Sequence, residues 1–133
     1  MSARGRNFRG QVSPLDCTGC ENCARTCPAK EKALVMRPAA EMAQEQANWN
    51  FAVSLPESEI READTITLSQ AKPPLLEFSG ACAGCGETPY IKLLTQLFGS
   101  HLMIANATGC ASIYAGSAPS CPYTVNQKGQ GVA

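Results

Sequence analysis

The run Cys17-Thr-Gly-Cys20-Glu-Asn-Cys23-Ala-Arg-Thr-Cys27-Pro28 constrains this chain more than any other stretch. Its C-x2-C-x2-C-x3-C-P spacing is one that holds [4Fe–4S] clusters. Three thiolates on one tight loop reach three corners of a single cubane, while the fourth, followed by proline, points away towards another cluster. Zinc is a poorer match, because structural zinc sites use separated C-x2-C knuckles. A two-cluster domain needs two such runs and this chain carries one, so half of the arrangement is expected to lie outside these residues.

The remaining composition excludes several classes. No apolar stretch reaches membrane-spanning length, and no hydrophobic segment near the start serves as a signal peptide. Without an export signal, eight cysteines read as reduced thiolate ligands rather than disulfides, which points to a cytoplasmic and anaerobic setting. The zero net charge hides an asymmetry. Residues 1–37 hold seven Lys/Arg against three Asp/Glu, and residues 38–80 hold two against seven. No basic patch with interleaved aromatics is present, so nucleic acid is not an expected partner. The acidic middle reads as a solvated connector.

Three segments emerge. Residues 1–37 pair the cysteine loop with Ala33-Leu-Val-Met36, a short apolar run that suits a strand. Residues 38–74 form a linker. Within it Ala39 to Ala47 suits a helix, while Asn50 to Ser54 and Asp64 to Leu68 alternate as edge strands or extended connector would. Residues 75–133 contain a helix that Thr88 can cap, with Pro89 at its first position. Tyr90, Leu93, Leu94 and Leu97 form its apolar face, and Gly99 is its stop. Leu102 to Asn106 then reads as a buried parallel strand running into the loop Ala107-Thr-Gly-Cys110, where α/β folds place ligands. So little packable surface predicts dependence on metals or neighbouring domains.

The second group of cysteines is less specific. Cys82 and Cys85 form a C-x2-C among Gly80, Gly84 and Gly86, and alone it suits zinc, a redox dithiol or a cluster. Glycines let backbone N–H groups turn towards cluster sulfurs. Cys110 offers a third ligand. Cys121 would be a fourth, although an ordinary buried thiol is the simpler reading. His101 suits a surface or boundary position, and Glu87 a favourable contact with a helix N-terminus.

Taken together, the stretches Phe78-Ser-Gly-Ala-Cys82-Ala-Gly-Cys85-Gly-Glu-Thr-Pro-Tyr90 and Ile104-Ala-Asn-Ala-Thr-Gly-Cys110-Ala-Ser-Ile113, with Gly116-Ser-Ala-Pro119 after them, resemble pyruvate:ferredoxin (flavodoxin) oxidoreductase. The ferredoxin-type run and Pro28 to Met36 behind it are similar to the same enzyme in the same order, so the resemblance extends from about Gln11 to Gly131. It implies an internal fragment: the end of a ferredoxin domain and the start of a thiamine diphosphate-binding domain. The corresponding fold is an α+β ferredoxin-like half-domain, joined by the linker to the start of an α/β thiamine diphosphate-binding domain. The whole enzyme, a homodimer, would oxidatively decarboxylate pyruvate with coenzyme A to acetyl-CoA and carbon dioxide. Thiamine diphosphate with Mg2+ would supply the carbon chemistry, and [4Fe–4S] clusters would pass electrons to ferredoxin or flavodoxin.

By that resemblance Cys82, Cys85 and Cys110 match three ligands of the cluster nearest thiamine. Cys17, Cys20 and Cys23 match three ligands of a ferredoxin-domain cluster, and Cys27 the lone ligand given to the other. Thr108 and Gly109 match the border of the thiamine pocket. The upstream cysteine run, the pyruvate-side domains, the acidic Mg2+–diphosphate motif and the distant fourth ligand are absent from these residues. The chain alone is therefore expected to be catalytically inert. Another 2-oxoacid:ferredoxin oxidoreductase, a partial electron carrier and an inactive gene remnant are the alternatives.

Overall fold

A computed structural model describes residues 9–56, 65–116 and 120–132. The chain clusters into two units, Met1–Pro56 and Glu57–Ala133. Among the described residues the regular elements are all helical, with two isolated antiparallel bridges, Leu76 to Tyr123 and Val125 to Gly131, in place of any sheet.

In the first unit, helix α1 (Asn22–Thr26) is a single turn. It starts from Glu21, whose φ of 64° lies in the left-handed region that non-glycine residues seldom enter. The Glu21 carboxylate meets the Arg25 guanidinium one turn on at 2.8 Å, an exposed pair of small energetic worth. At the other end the Lys32 ammonium donates to the carbonyls of Arg25 (2.9 Å) and Cys27 (3.0 Å). It thereby satisfies acceptors that a helix end leaves open.

A 3-10 turn (Ala39–Met42) follows Pro38 and leads into α2 (Ala43–Ser54). The Gln11 amide donates to the Glu45 carboxylate at 2.9 Å, and the Leu15 N–H donates to the Gln46 side-chain oxygen at 3.3 Å. Helix α2 buries none of its residues, and Phe51 and Val53 are largely exposed. Among the described residues, polar ties rather than an apolar core hold this unit together.

The second unit has a core, and α4 organises it. Thr65 caps the short α3 (Ile66–Ser69) by accepting the Leu68 N–H at 3.2 Å. Helix α4 (Thr88–Phe98) continues into a 3-10 turn (Gly99–His101). The Thr95 hydroxyl accepts the buried Leu75 N–H at 3.1 Å, and the Gln96 amide donates to the Lys72 carbonyl at 2.8 Å. These bonds pin the segment leading to Leu76. There the Glu77 N–H donates to Pro122 and the Thr124 N–H to Leu75, at 3.0 and 3.1 Å. Helix α5 (Cys110–Gly116) closes the core, in which Leu76, Tyr114 and Ala115 are buried with Ala81, Ile91, Ala111 and Tyr123 packed around them.

The expected α+β half-domain and α/β start are therefore not what the described residues form. Ala33 to Met36 is irregular and exposed, Asn50 to Ser54 belongs to α2, and Ile66 to Leu68 is helical, with Asp64 outside the described residues. Leu102 to Asn106 carries no strand assignment, and its first four residues alternate between partly buried and exposed. The physical reason is shared. A strand exists through hydrogen bonds to a neighbouring backbone, and among the described residues no such neighbour lies beside Ala33–Met36 or Leu102–Asn106. Ala39 to Ala47 is helical as its composition suggests, first as the 3-10 turn and then as α2.

Candidate functional site

All eight cysteines are free. In the ferredoxin-type run, Gly19 (φ 71°) and Glu21 (φ 64°) turn the backbone twice between Cys17 and Cys23. Cys17, Cys20 and Cys23 are exposed and Cys27 is partly buried. The backbone N–H groups of Ala29 and Ala33, and then that of Leu34 with the Lys32 ammonium, outweigh desolvation and hold the Cys27 thiol below its ordinary pKa. The start of the segment behind the run thus forms a cradle of donors around one sulfur, which favours the thiolate.

Cys82 and Cys85 close one turn, the Cys85 N–H donating to the Cys82 carbonyl at 3.0 Å. Gly84 stands at its third position with φ 75°, where a side chain would be strained. Cys85 stands three residues before the start of α4. Backbone donors of Thr88 and Glu87, with the Thr88 hydroxyl, lower its pKa against desolvation and the Glu87 charge. The cap position of α4 belongs to Glu87, without a side-chain cap bond, so Thr88 serves the sulfur rather than the helix. Pro89 is the second residue of α4, one beyond the first position expected of it.

Cys110 is exposed and begins α5. Gly109 sits just before it, its carbonyl accepting the Ile113 N–H at 3.2 Å, and Thr108 is exposed beside it. Cys121 is exposed, not buried as an ordinary core thiol would be. His101 is exposed at the end of the 3-10 turn.

The donor chemistry of both groups suits an iron–sulfur cluster: soft thiolates on left-handed turns, with backbone N–H groups aimed at two of the sulfurs. The gathering of donors is incomplete. Among the described residues no three His, Cys, Asp or Glu side chains stand close enough together to hold a metal ion. Thr108 and Gly109 do not by themselves supply a ligand set for the Mg2+ of thiamine diphosphate. Residues 102–116 contain no carboxylate, and Mg2+ takes hard oxygen ligands. A cleft of about 430 Å³ opens elsewhere in this unit, lined by Glu77, Phe78, Ser79, Thr88, Pro89 and Lys92 among others.

Two features escaped the sequence reading. The α5 helix was hidden behind its glycine-flanked cysteine, and with it Tyr114, buried four residues beyond Cys110. An aromatic at i+4 from a cysteine is the signal that would have found it. Lys32, which clamps the carbonyls behind Cys27, carries no signal in sequence at all. No described helix is long and apolar enough to cross a membrane.

No protein-family model matches the chain. Among curated proteins it is 65% identical over 133 residues to pyruvate:ferredoxin oxidoreductase of Moorella thermoacetica, covering 98% of the chain and 11% of that protein. It is 52% identical over 134 residues to pyruvate-flavodoxin oxidoreductase of Klebsiella pneumoniae, covering 100% and 11%. It is 54% identical over 132 residues to the mitochondrial pyruvate dehydrogenase [NADP(+)] of Euglena gracilis, covering 98% and 7%. The chain thus spans about a tenth of the length of the curated relatives it matches. At this identity, and across nearly all of its own residues, the chain matches one segment of the pyruvate:ferredoxin/flavodoxin oxidoreductase family.

Proposed function

We propose that this chain supplies iron–sulfur ligands, and hence electron-transfer steps, to an oxidoreductase acting on pyruvate, and has no catalytic activity by itself. The observation that carries this reading is the 65% identity to the Moorella thermoacetica enzyme over essentially the whole chain. In this reading residues 1–37 are the second half of a two-cluster ferredoxin domain, 38–74 a linker, and 75–133 the start of the thiamine diphosphate-binding domain. Cys82, Cys85 and Cys110 hold the cluster nearest thiamine. Cys17, Cys20 and Cys23 hold a second, and Cys27 serves a third.

A cluster held there accepts and releases single electrons. This chain's own part is to bind and orient it. The N–H groups around Cys27 and Cys85 favour thiolate over thiol, and left-handed residues turn the backbone between successive cysteines, Gly19 and Glu21 in the first run and Gly84 in the second. The carbon chemistry on pyruvate with coenzyme A belongs to groups outside these residues. The three relatives name ferredoxin, flavodoxin and NADP(+) while sharing this segment, which supports an acceptor chosen elsewhere in the protein. A cytoplasmic setting suits thiolate ligands, since a reducing thiol pool keeps them free of disulfides.

A second reading, a partial electron carrier or inactive remnant, is favoured by the lack of any three gathered donors among the described residues. Iron and acid-labile sulfide analysis after anaerobic reconstitution, with pyruvate-dependent reduction of a viologen dye, tests both. Iron and sulfide bound in a way that Cys17→Ser and Cys85→Ser reduce, with no dye reduction, is the expected result. Dye reduction by the chain alone overturns its inertness. Retention of zinc in place of iron overturns the cluster assignment, and failure to bind either favours the remnant.

A further inference from the structure

Cys82 and Cys85 stand at the two ends of one closed turn, joined by the Cys85 N–H donating to the Cys82 carbonyl at 3.0 Å. A turn closed in this way keeps the Cα atoms of its end residues within about 7 Å of each other, a separation that a disulfide can bridge. Gly84, at the third position with φ 75°, takes the left-handed conformation without steric cost. Cys82, Ala83 and Gly84 are exposed and Cys85 is half-buried, so the turn is open to a small molecule from solvent. Cys17 and Cys20 share the C-x2-C spacing and a left-handed glycine, Gly19, yet residues 17–20 carry no turn. Among the described residues no third His, Cys, Asp or Glu side chain joins Cys82 and Cys85 closely enough to hold a metal ion. As the chain stands, the turn presents a dithiol.

We propose that in the cluster-free chain Cys82 and Cys85 form a reversible dithiol–disulfide couple whose co-reactant is a low-molecular-weight disulfide. One thiolate of the pair attacks a sulfur of that disulfide, breaking its S–S bond, forming a mixed disulfide and releasing one thiol. The other cysteine then attacks the protein sulfur of the mixed disulfide, closing the Cys82–Cys85 bond and releasing the second thiol. The two protein thiols are oxidised, the external disulfide is reduced, and the two protons lost by the cysteines end on the released thiols. In a reducing compartment such a bond is transient and redox-sensing rather than structural. While it is closed neither sulfur is a free thiolate, the form that binds metal, so the closed turn takes up none. None of these steps requires a bound cluster.

The test uses the full chain, reduced and freed of iron under anaerobic conditions, then equilibrated with mixtures of reduced and oxidised glutathione. Remaining thiols are alkylated, and the peptides are read by mass spectrometry without reduction. The expected result is a peptide carrying Cys82 and Cys85 that escapes alkylation and has lost two hydrogens. It should form at a lower oxidised fraction than any bond within residues 17–27 and open again in reduced glutathione. Gly84→Ala, which strains the left-handed position, should move the midpoint ratio towards the dithiol by up to about tenfold. Gly84→Asn, which tolerates that position better, should move it less. In Cys82→Ser, Cys85 should accumulate as the mixed disulfide with glutathione. Single glutathione adducts on Cys82 or Cys85 in the unaltered chain, or a bond from either to Cys110 or Cys121, overturn the couple. A Cys17–Cys20 bond closing at the same ratio would trace the effect to spacing alone and overturn the part given to the turn. So would a midpoint unmoved by both Gly84 variants with their helical circular-dichroism signal intact.

Discussion

Gly99 lies against Leu75 so closely that a Cβ added at residue 99 would stand 2.6 Å from Leu75 Cδ1 and 3.1 Å from its Cγ. The glycine is not needed for its backbone, since its φ of −51° and ψ of −38° are open to any residue. It is needed for space. Gly99→Ala therefore sets two effects against each other: up to about 1 kcal/mol gained from backbone propensity, and about 1–3 kcal/mol lost by overpacking. Leu75 is buried and has little freedom to retreat, so a net loss of about 1 kcal/mol is expected in a urea melt. In the Leu75→Ala background the same change should be neutral or stabilising. A full loss persisting there would show that contact with Leu75 is not the cause.

The polar pins of α4 make a second, independent prediction. Thr95→Val keeps the shape of the side chain but leaves the buried Leu75 N–H without the acceptor it now has at 3.1 Å. An orphaned buried donor costs about 1–3 kcal/mol. The unfolding free energy should fall by that amount, seen as a lower denaturation midpoint with an unchanged slope, while Thr95→Ser, which retains the oxygen, should lose less. Equal losses in the two variants would trace the effect to packing of the methyl group.

Thr95 and Gln96 also show where the sequence stops being a guide. The boundaries of α4 were legible from Thr88-Pro89 and from Gly99, but its inward face was not. Of the expected apolar stripe, Leu93 is partly buried while Tyr90, Leu94 and Leu97 are exposed, and Thr95, Gln96 and Gly99 are buried with Ile91 packed beside the core. Hydrophobic periodicity predicts which face would be buried given something to cover it. These residues offer too little apolar surface for that, and hydrogen bonding to Lys72 and Leu75 decides the orientation. Gly99 follows the last residue of α4 as a stop does, with right-handed φ and ψ, and it also serves a close approach to Leu75. Strands failed for a related reason, since Ala33–Met36 and Leu102–Asn106 carry the right residues and lack a partner. The cysteine spacing is local and so stands in the sequence itself, whereas the burial of Tyr114 comes from a core assembled in three dimensions.

The two cradled thiols predict selective reactivity in the cluster-free chain. Backbone donors lower the pKa of Cys27 and of Cys85, so the thiolate fraction of each rises at a lower pH than for a free cysteine. Alkylation with iodoacetamide, followed residue by residue by peptide mass spectrometry across pH 6–9 (~ the range spanning the ordinary thiol pKa), should show both half-reacting below the pH of free cysteine. Because the folded pKa is depressed, their contribution to stability is present above the unfolded pKa and is lost as pH falls through the folded one. Thr88→Val should move the Cys85 profile upward by removing the hydroxyl donor. An unmoved profile would leave the backbone N–H groups as the whole cause.

At alkaline pH the sign reverses, and the buried phenols control it. Burial raises the pKa of Tyr114 and of Tyr123, with nearby negative charge adding to it. The folded state therefore holds those protons after the unfolded state has begun to release them. Stability contributed by the neutral phenols is complete below the unfolded tyrosine pKa, about 10, and is lost as pH rises through the folded values. Absorbance at about 295 nm, where tyrosinate is read against the ordinary phenol pKa, should show two of the three tyrosines ionising late and together with loss of structure. In Tyr114→Phe one late step should vanish and the alkaline unfolding midpoint should move upward. If all three tyrosines instead ionise reversibly near the free-phenol value with the helical signal intact, then Tyr114 and Tyr123 are open to solvent, and burial does not hold their protons.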